Sequence, residues 1–306
     1  MNETTVIRLK AWFLSTIVTR IIEAPDISLT NRTVGEPKTI SVPTRHGPVR
    51  CLVTRPAADA PLASGRTSPV HVNIHGGAFL IGAPCQDDHL VRAIAGEVGA
   101  VVVNVDYSRA PKVRYPHAHE ECFDVLEWVA ASGAAEGWDG QTISISGTSA
   151  GGNLALAALE LARRSGGPRV RAGVLMVPAV DVTVPPEDYV SDIPKPFVGP
   201  AMVRLMQQTY FADASRRSEV LASPALGREE LAALPPLLIF SAQHDTLRPQ
   251  IERFVRKVEE HGVDVRYVCL ESVDHDFEVN KEDAPKVLPE VAKAMSAHLI
   301  AHLAGG

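Results

Sequence analysis

The stretch Thr142-Ile-Ser-Ile-Ser-Gly-Thr-Ser149-Ala-Gly-Gly-Asn153 decides the fold. Ile143 and Ile145 alternate with serines, the pattern of a strand. Gly147 and Gly151 bracket Ser149 in a G-x-S-x-G arrangement. From Asn153 the chain runs Leu-Ala-Leu-Ala-Ala-Leu-Glu-Leu-Ala-Arg-Arg, a series of strong helix formers. The spacing therefore predicts strand, tight turn, helix, with one serine at the apex. A serine on a strained turn exposes its hydroxyl above a sheet, and bulky neighbours would collide with the strand and helix. The helix start offers free N–H groups and a positive dipole end to a developing anion. A plain Gly-rich turn can carry the same letters, so the reading depends on partners elsewhere in the chain.

Working outward, strands and helices alternate. Val70-His-Val-Asn-Ile is a strand that ends in His75-Gly76-Gly77-Ala78-Phe79. A helix over 88–98 follows, with Leu90, Ile94 and Val98 on one face, and then the apolar strand Val101-Val-Val-Asn-Val, closed by Asp106-Tyr107. A helix over 116–131 leads into the Ser149 stretch. Beyond it come strands at 172–177 and 237–241, a helix at 250–261 stopped by Gly262, a strand at 265–270 and a last helix at 284–303. This alternation predicts an α/β chain: a mostly parallel central sheet built from right-handed crossovers, with helices on both faces. Ahead of it, segments 38–43 and 49–56 around Thr44-Arg-His-Gly-Pro read as an antiparallel hairpin, and 57–68 as a surface loop.

Two segments break the rhythm. Residues 181–223 are long, proline-containing and irregular, with Phe197, Met202, Leu205, Met206, Tyr210 and Phe211 in a helical pattern. An insertion between core strands at the ligand-binding edge is a natural lid. Residues 1–35 carry Val6, Leu9, Phe13, Ile17 and Ile21 at helical spacing, ending near Ala24-Pro25-Asp26. The expectation is a single domain over 1–306, with a small helical cap built from 1–35 and about 182–222.

Bulk properties narrow the function. The 306 residues are 45% hydrophobic and 22% charged, enough for one sizeable core. A net charge of −6 gives no footprint for nucleic acid or an anionic membrane. No apolar run reaches spanning length, so stable membrane insertion is not expected. Arg8 and Lys10 ahead of an apolar run imitate a secretion signal, but Arg20 and Glu23 follow and no small-residue cleavage site is evident. Cys51, Cys85, Cys122 and Cys269 are scattered, with no C-x-x-C pair. They read as reduced, mostly buried thiols of a cytoplasmic protein, and no metal or cofactor site is suggested.

A nucleophilic serine needs a base held by a third group. His275 lies in Glu271-Ser-Val-Asp-His-Asp-Phe-Glu278, between the last strand and the last helix, on the same sheet edge as Ser149. Asp245 follows the strand at 237–241, again at that edge, and is the preferred acid, with Asp276 second. Asp274 and Asp276 flank the histidine, and sequence neighbours seldom point at each other. His261 and His298 read as solvated. His89, His117 and His119 sit in loops or first turns without an acid partner, and His244 reads as a loop residue. The developing oxyanion finds donors in the Ala150 N–H and in the loop at 75–78, where two glycines let the backbone approach closely.

These stretches, His75-Gly-Gly-Ala-Phe, Asp106-Tyr-Ser-Arg-Ala-Pro, Gly147-Thr-Ser-Ala-Gly-Gly, Asp245-Thr-Leu and His275-Asp-Phe, resemble the hormone-sensitive-lipase-like carboxylesterases, an α/β-hydrolase family. The likeness covers roughly 40–300, and Thr148 resembles the threonine-bearing branch. It implies a cofactor-free carboxylic ester hydrolase, monomeric or homodimeric. It also implies Ser149, Asp245 and His275 as the triad, in the order Ser, acid, His, and Gly76, Gly77 and Ala150 as oxyanion donors. Ala78 replaces a third family glycine, and its methyl narrows the acyl pocket. Asp106-Tyr-Ser-Arg-Ala-Pro-Lys112 departs from the family's Asp-Tyr-Arg-Leu-Ala-Pro-Glu and leaves its ion pairs open. Phe197, Met202, Met206, Tyr210 and Phe211 point to a modest apolar pocket, hence small apolar esters with short-to-medium acyl chains. The rivals are amides or lactones on the same triad and a non-catalytic small-ligand binder. Epoxide or haloalkane chemistry is disfavoured, because the elbow carries Ser and not Asp.

Overall fold

The valine-rich runs become the middle of one eight-stranded sheet. In the computed structural model, which describes residues 3–16, 19, 26–63 and 67–304, the strands are β1 (Lys38–Thr44), β2 (Gly47–Thr54), β3 (Pro69–Ile74), β4 (Val101–Asp106), β5 (Asp139–Thr148), β6 (Val170–Met176), β7 (Leu237–Ala242) and β8 (Val265–Leu270). Their spatial order is β1-β2-β4-β3-β5-β6-β7-β8. β1, β2 and β4 pair antiparallel, and every other pairing is parallel. All six residues of β3 and of β7 are buried, as a strand covered on both faces requires.

The helices are α1 (Glu3–Thr16), α2 (Asp88–Ala93), α3 (His117–Glu136), α4 (Ala150–Ser165), α5 (Pro200–Thr209), α6 (Arg248–Glu260) and α7 (Ala284–Leu303). On one face Val72, Val103, Ile145 and Ile239 pack with α3, α4 and α6 in a single apolar cluster. On the other, Val102, Val174 and Phe240 pack under α2 and α7. The serines that alternate with Ile143 and Ile145 are not wet. Ser144 and Ser146 are fully buried and hydrogen-bond the His71 ring, at 2.8 and 2.7 Å.

Several expectations change. The helix over 88–98 ends at Ala93 and continues as a wide turn, Ile94–Val98, stopped by left-handed Gly99. His298, expected in solvent, faces the sheet from α7 and is buried. Cys51 and Cys122 are buried, but Cys269 is half-buried and Cys85 exposed. α1 packs mainly on α5, so it buries Ala11 and leaves Trp12 and Phe13 about half exposed. The side chains of Val6 and Leu9, and residues Ile17, Ile21 and 24–25, lie outside the described residues. Among the described residues no helix is long and apolar enough to cross a membrane.

Candidate active site

β5 ends at Thr148 and α4 begins at Ala150, so Ser149 is the single residue of the turn. Its backbone sits at φ 54° and ψ −114°, a region that costs a non-glycine residue about 1–3 kcal/mol. The turn is possible because the strand and helix nearly touch. A Cβ on Gly147 would strike the Gly151 carbonyl, and one on Gly151 would strike the Ile74 carbonyl.

The candidate base His275 and candidate acid Asp245 follow the ends of β8 and β7, the two strand ends predicted. His275 Nε2 lies 2.8 Å from Ser149 Oγ, and His275 Nδ1 lies 2.8 Å from Asp245 Oδ2. The Leu247 N–H donates to the other Asp245 oxygen at 2.9 Å, which fixes the carboxylate plane. Burial alone would lower the His275 pKa. The charge of Asp245 and its hydrogen bond, with Asp274 and Asp276 adding, instead raise it above the ordinary histidine value. Asp276, the second candidate acid, lines the pocket and has no contact with His275 Nδ1. Asp274 does more than its position suggested. Its Oδ1 accepts from the His275 N–H at 2.7 Å and its Oδ2 from the Phe197 N–H at 2.6 Å.

The loop after β3 faces the serine. A Cβ on Gly76 would lie within 3.5 Å of both the Thr148 carbonyl oxygen and Ser149 Cβ. Gly77 takes φ +124°, where a side chain would strike the Ile81 carbonyl. The N–H groups of Gly76, Gly77 and Ala150 donate to no group among the described residues. Tyr107 stacks on the His75 ring with centroids 4.4 Å apart and donates to the His75 carbonyl at 3.1 Å, holding the loop. The ion pairs left open by the sequence form, with Arg50 and Arg109 each 2.8 Å from Asp106.

A cavity of about 320 Å³ opens at Ser149. Its walls include Ala78, Ile81, Val182, Phe197, Met202 and Met206, and its polar lining includes Gln86, Asp276 and Glu278, with no Lys or Arg. Tyr210 and Phe211 do not reach it, against expectation. Both are buried at the end of α5, where Tyr210 stacks on Phe79 with centroids 4.7 Å apart and Phe211 meets the same ring edge-on at 5.1 Å. Tyr210 also accepts the Ala118 N–H and bonds His119, whose other nitrogen meets Asn153. A larger depression of about 1030 Å³ lies at the opposite end of the strands, around Leu156, Arg163, Arg171 and Pro236, and contains no nucleophile–base pair.

Among the described residues no group of three His, Cys, Asp or Glu side chains is arranged to hold a metal ion. Sequence reading missed Asp274, Glu278 and the stacking of Phe197 on His275, centroids 6.1 Å apart. The only signal for the first two was their closeness to His275.

A family model described as alpha/beta hydrolase fold matches residues 71–279. The chain is similar to the carboxylesterase NlhH of Mycobacterium tuberculosis, 30% identical over 235 residues, covering 76% of this chain and 72% of that protein. It is similar to an ethyl acetate hydrolase of Pseudomonas putida, 29% identical, covering 85% and 82%. Among solved structures, an esterase of Pyrobaculum calidifontis superposes with a TM-score of 0.79 at 28% identity, covering 98% and 94%.

Proposed function

This chain belongs to the hormone-sensitive-lipase-like carboxylesterase family of the α/β-hydrolase fold and is a carboxylic ester hydrolase, and from that premise we propose that Ser149, His275 and Asp245 carry the reaction through an acyl-enzyme. The observation that supports this is the unbroken chain of two 2.8 Å contacts from Ser149 Oγ through the His275 ring to Asp245.

Each step uses a named atom. With its Nδ1–H donated to Asp245, neutral His275 presents Nε2 as an acceptor and takes the Ser149 proton as Oγ attacks the ester carbonyl. The N–H groups of Gly76, Gly77 and Ala150 receive the oxyanion. His275 then gives its proton to the departing alcohol oxygen. Water, deprotonated by the same nitrogen, attacks the acyl-enzyme and returns Ser149.

The cap over this pocket is formed by about 182–222 together with the described part of 1–35, whose helix α1 packs on α5. A cavity near the lower end of the usual ligand-pocket range favours short-to-medium acyl chains. Two lining carboxyl groups and no lining cation favour uncharged esters over anionic ones. The reaction is tested with Ser149→Ala, assayed on p-nitrophenyl esters of increasing chain length. Turnover should fall on the order of 10⁴-fold or more, and labelling by a fluorophosphonate should vanish. A Ser149→Ala variant with wild-type turnover would sink the assignment. A wild-type profile that peaks at long chains would overturn the size reading.

A further inference from the structure

Glu278 lies three residues beyond His275, and Thr148 directly precedes Ser149. The Thr148 hydroxyl donates to Glu278 Oε1 at 3.1 Å, with Oε2 at 3.5 Å. The Glu278 residue is only 5% exposed, and no other hydrogen bond reaches its carboxyl among the described residues. One side-chain bond therefore joins the strand end that carries the nucleophile to the loop that carries the base, across 130 residues of chain.

A buried carboxyl with a single neutral partner is an expensive feature to keep. Its surroundings show how it is tolerated. Asp87, in the short turn before α2, faces it and is also buried. Asp87 Oδ2 accepts from Asn73 at 2.9 Å, while its Oδ1 has no partner. Burial first, then the charge of Asp87, pushes Glu278 up to about 8, and burial pushes Asp87 up to about 6. Two carboxyl groups in this relation hold a proton between them near neutrality. Asn73 in turn accepts from Ser146, two residues before Thr148, at 2.6 Å. Glu278 is thus seated at the end of a buried polar chain rooted in β3 and β5.

We propose that Thr148 and Glu278 form a clasp that sets the spacing between Ser149 and His275, which makes both of them positioning residues for the hydrolysis. The inference rests on Ser149 and His275 being nucleophile and base. Without the clasp, the loop at 271–278 is held to the elbow through the reacting contact itself. An error of about 1 Å between reacting groups can cost on the order of 10²-fold in rate. The reacting distance is altered while the apolar walls at Ala78, Ile81, Val182, Phe197, Met202 and Met206 stay in place, so the loss falls mainly on kcat.

The test compares Thr148→Val, Thr148→Ser, Glu278→Leu, Glu278→Gln and the double variant Thr148→Val/Glu278→Leu, each measured for kcat, KM and melting temperature on p-nitrophenyl butyrate. Thr148→Val and Glu278→Leu should each lower kcat about ten- to a hundredfold, with KM within twofold. Thr148→Ser, which keeps the hydroxyl, and Glu278→Gln, which keeps an acceptor, should restore most of it. The double variant should be no slower than the slower single one, because both remove the same bond. Wild-type kcat in Thr148→Val, or losses that multiply in the double variant, overturns the clasp. If Glu278→Leu does not fold, the near-isosteric Thr148→Val against Thr148→Ser decides alone. An inactive Ser149→Ala beside an unimpaired Thr148→Val removes the clasp only, whereas an active Ser149→Ala removes the nucleophile reading beneath it.

Discussion

The elbow at Ser149 and the strap at 190–198 both touch His275, but they are held by different means. At the elbow the restraint is backbone: the strand-to-helix turn, glycines in contact with carbonyls, and a loop fixed under Tyr107. The strap hangs on a few side-chain bonds. Asp274 grips the Phe197 N–H, Ser191 donates to the His244 carbonyl at 2.5 Å, Asp192 pairs with His244, and Thr246 donates to the Val198 carbonyl. Val190 is 70% exposed and Phe197 51% exposed. The elbow itself is thus set by backbone contacts, while the wall that lines the pocket can be altered without moving a strand.

Damage at the two places should differ in kind. The largest effect is expected at the sheet edge. Asp245→Asn keeps the shape but mismatches the His275 tautomer, so kcat should fall on the order of 10⁴-fold, with melting temperature little changed; a loss under tenfold would argue against Asp245 as the orienting acid. The strap should answer more mildly. Phe197→Ala removes a ring stacked on His275, a contact worth about 0.5–1.5 kcal/mol. KM for a short ester should rise a few-fold with kcat within twofold, and bulkier esters should gain relative to short ones. If kcat collapsed instead, the two regions would not be separable. The smallest effect tests their junction. Asp274 helps raise the His275 pKa above the ordinary histidine value, and the proposed base works only when neutral, so the acid limb of activity should be shifted upward. Asp274→Asn should move that limb to lower pH and leave the plateau rate intact, as read from kcat/KM against pH.

The sequence was legible where local chemistry forces a pattern. The Ser149 elbow needs glycines at fixed offsets, and an acid and a base are expected after particular strands, so spacing and order pointed to Ser149, Asp245 and His275, three side chains that the fold brings within hydrogen-bond reach. It was less legible where tertiary packing chooses between equal options. Tyr210 and Phe211 had the right character to line a pocket, but Phe79 and His119 offered a buried slot at the end of α5. His298 had the composition of a surface residue, yet its side of α7 covers the sheet. Glu278 was invisible for the opposite reason. A carboxylate is expected in water, and only the facing Asp87 and the Thr148 hydroxyl explain one in the core.

The buried histidines have a consequence for the whole molecule in acid. Burial lowers His71 and His119 to about 3, and His75, His89 and His298 to about 4. Their unfolded value is about 6.5, so between roughly pH 6.5 and 4 the unfolded chain takes up protons that the native state refuses. Stability is therefore fully present above about 6.5 and drains as the pH falls toward the native values, by up to about 1.4 kcal/mol per pH unit for each ring. Mild acid acts on this esterase at two levels. With His275 as the proposed base, its protonation should silence turnover reversibly within the intact fold, and the same protons, offered to rings with no room for charge, favour the unfolded chain.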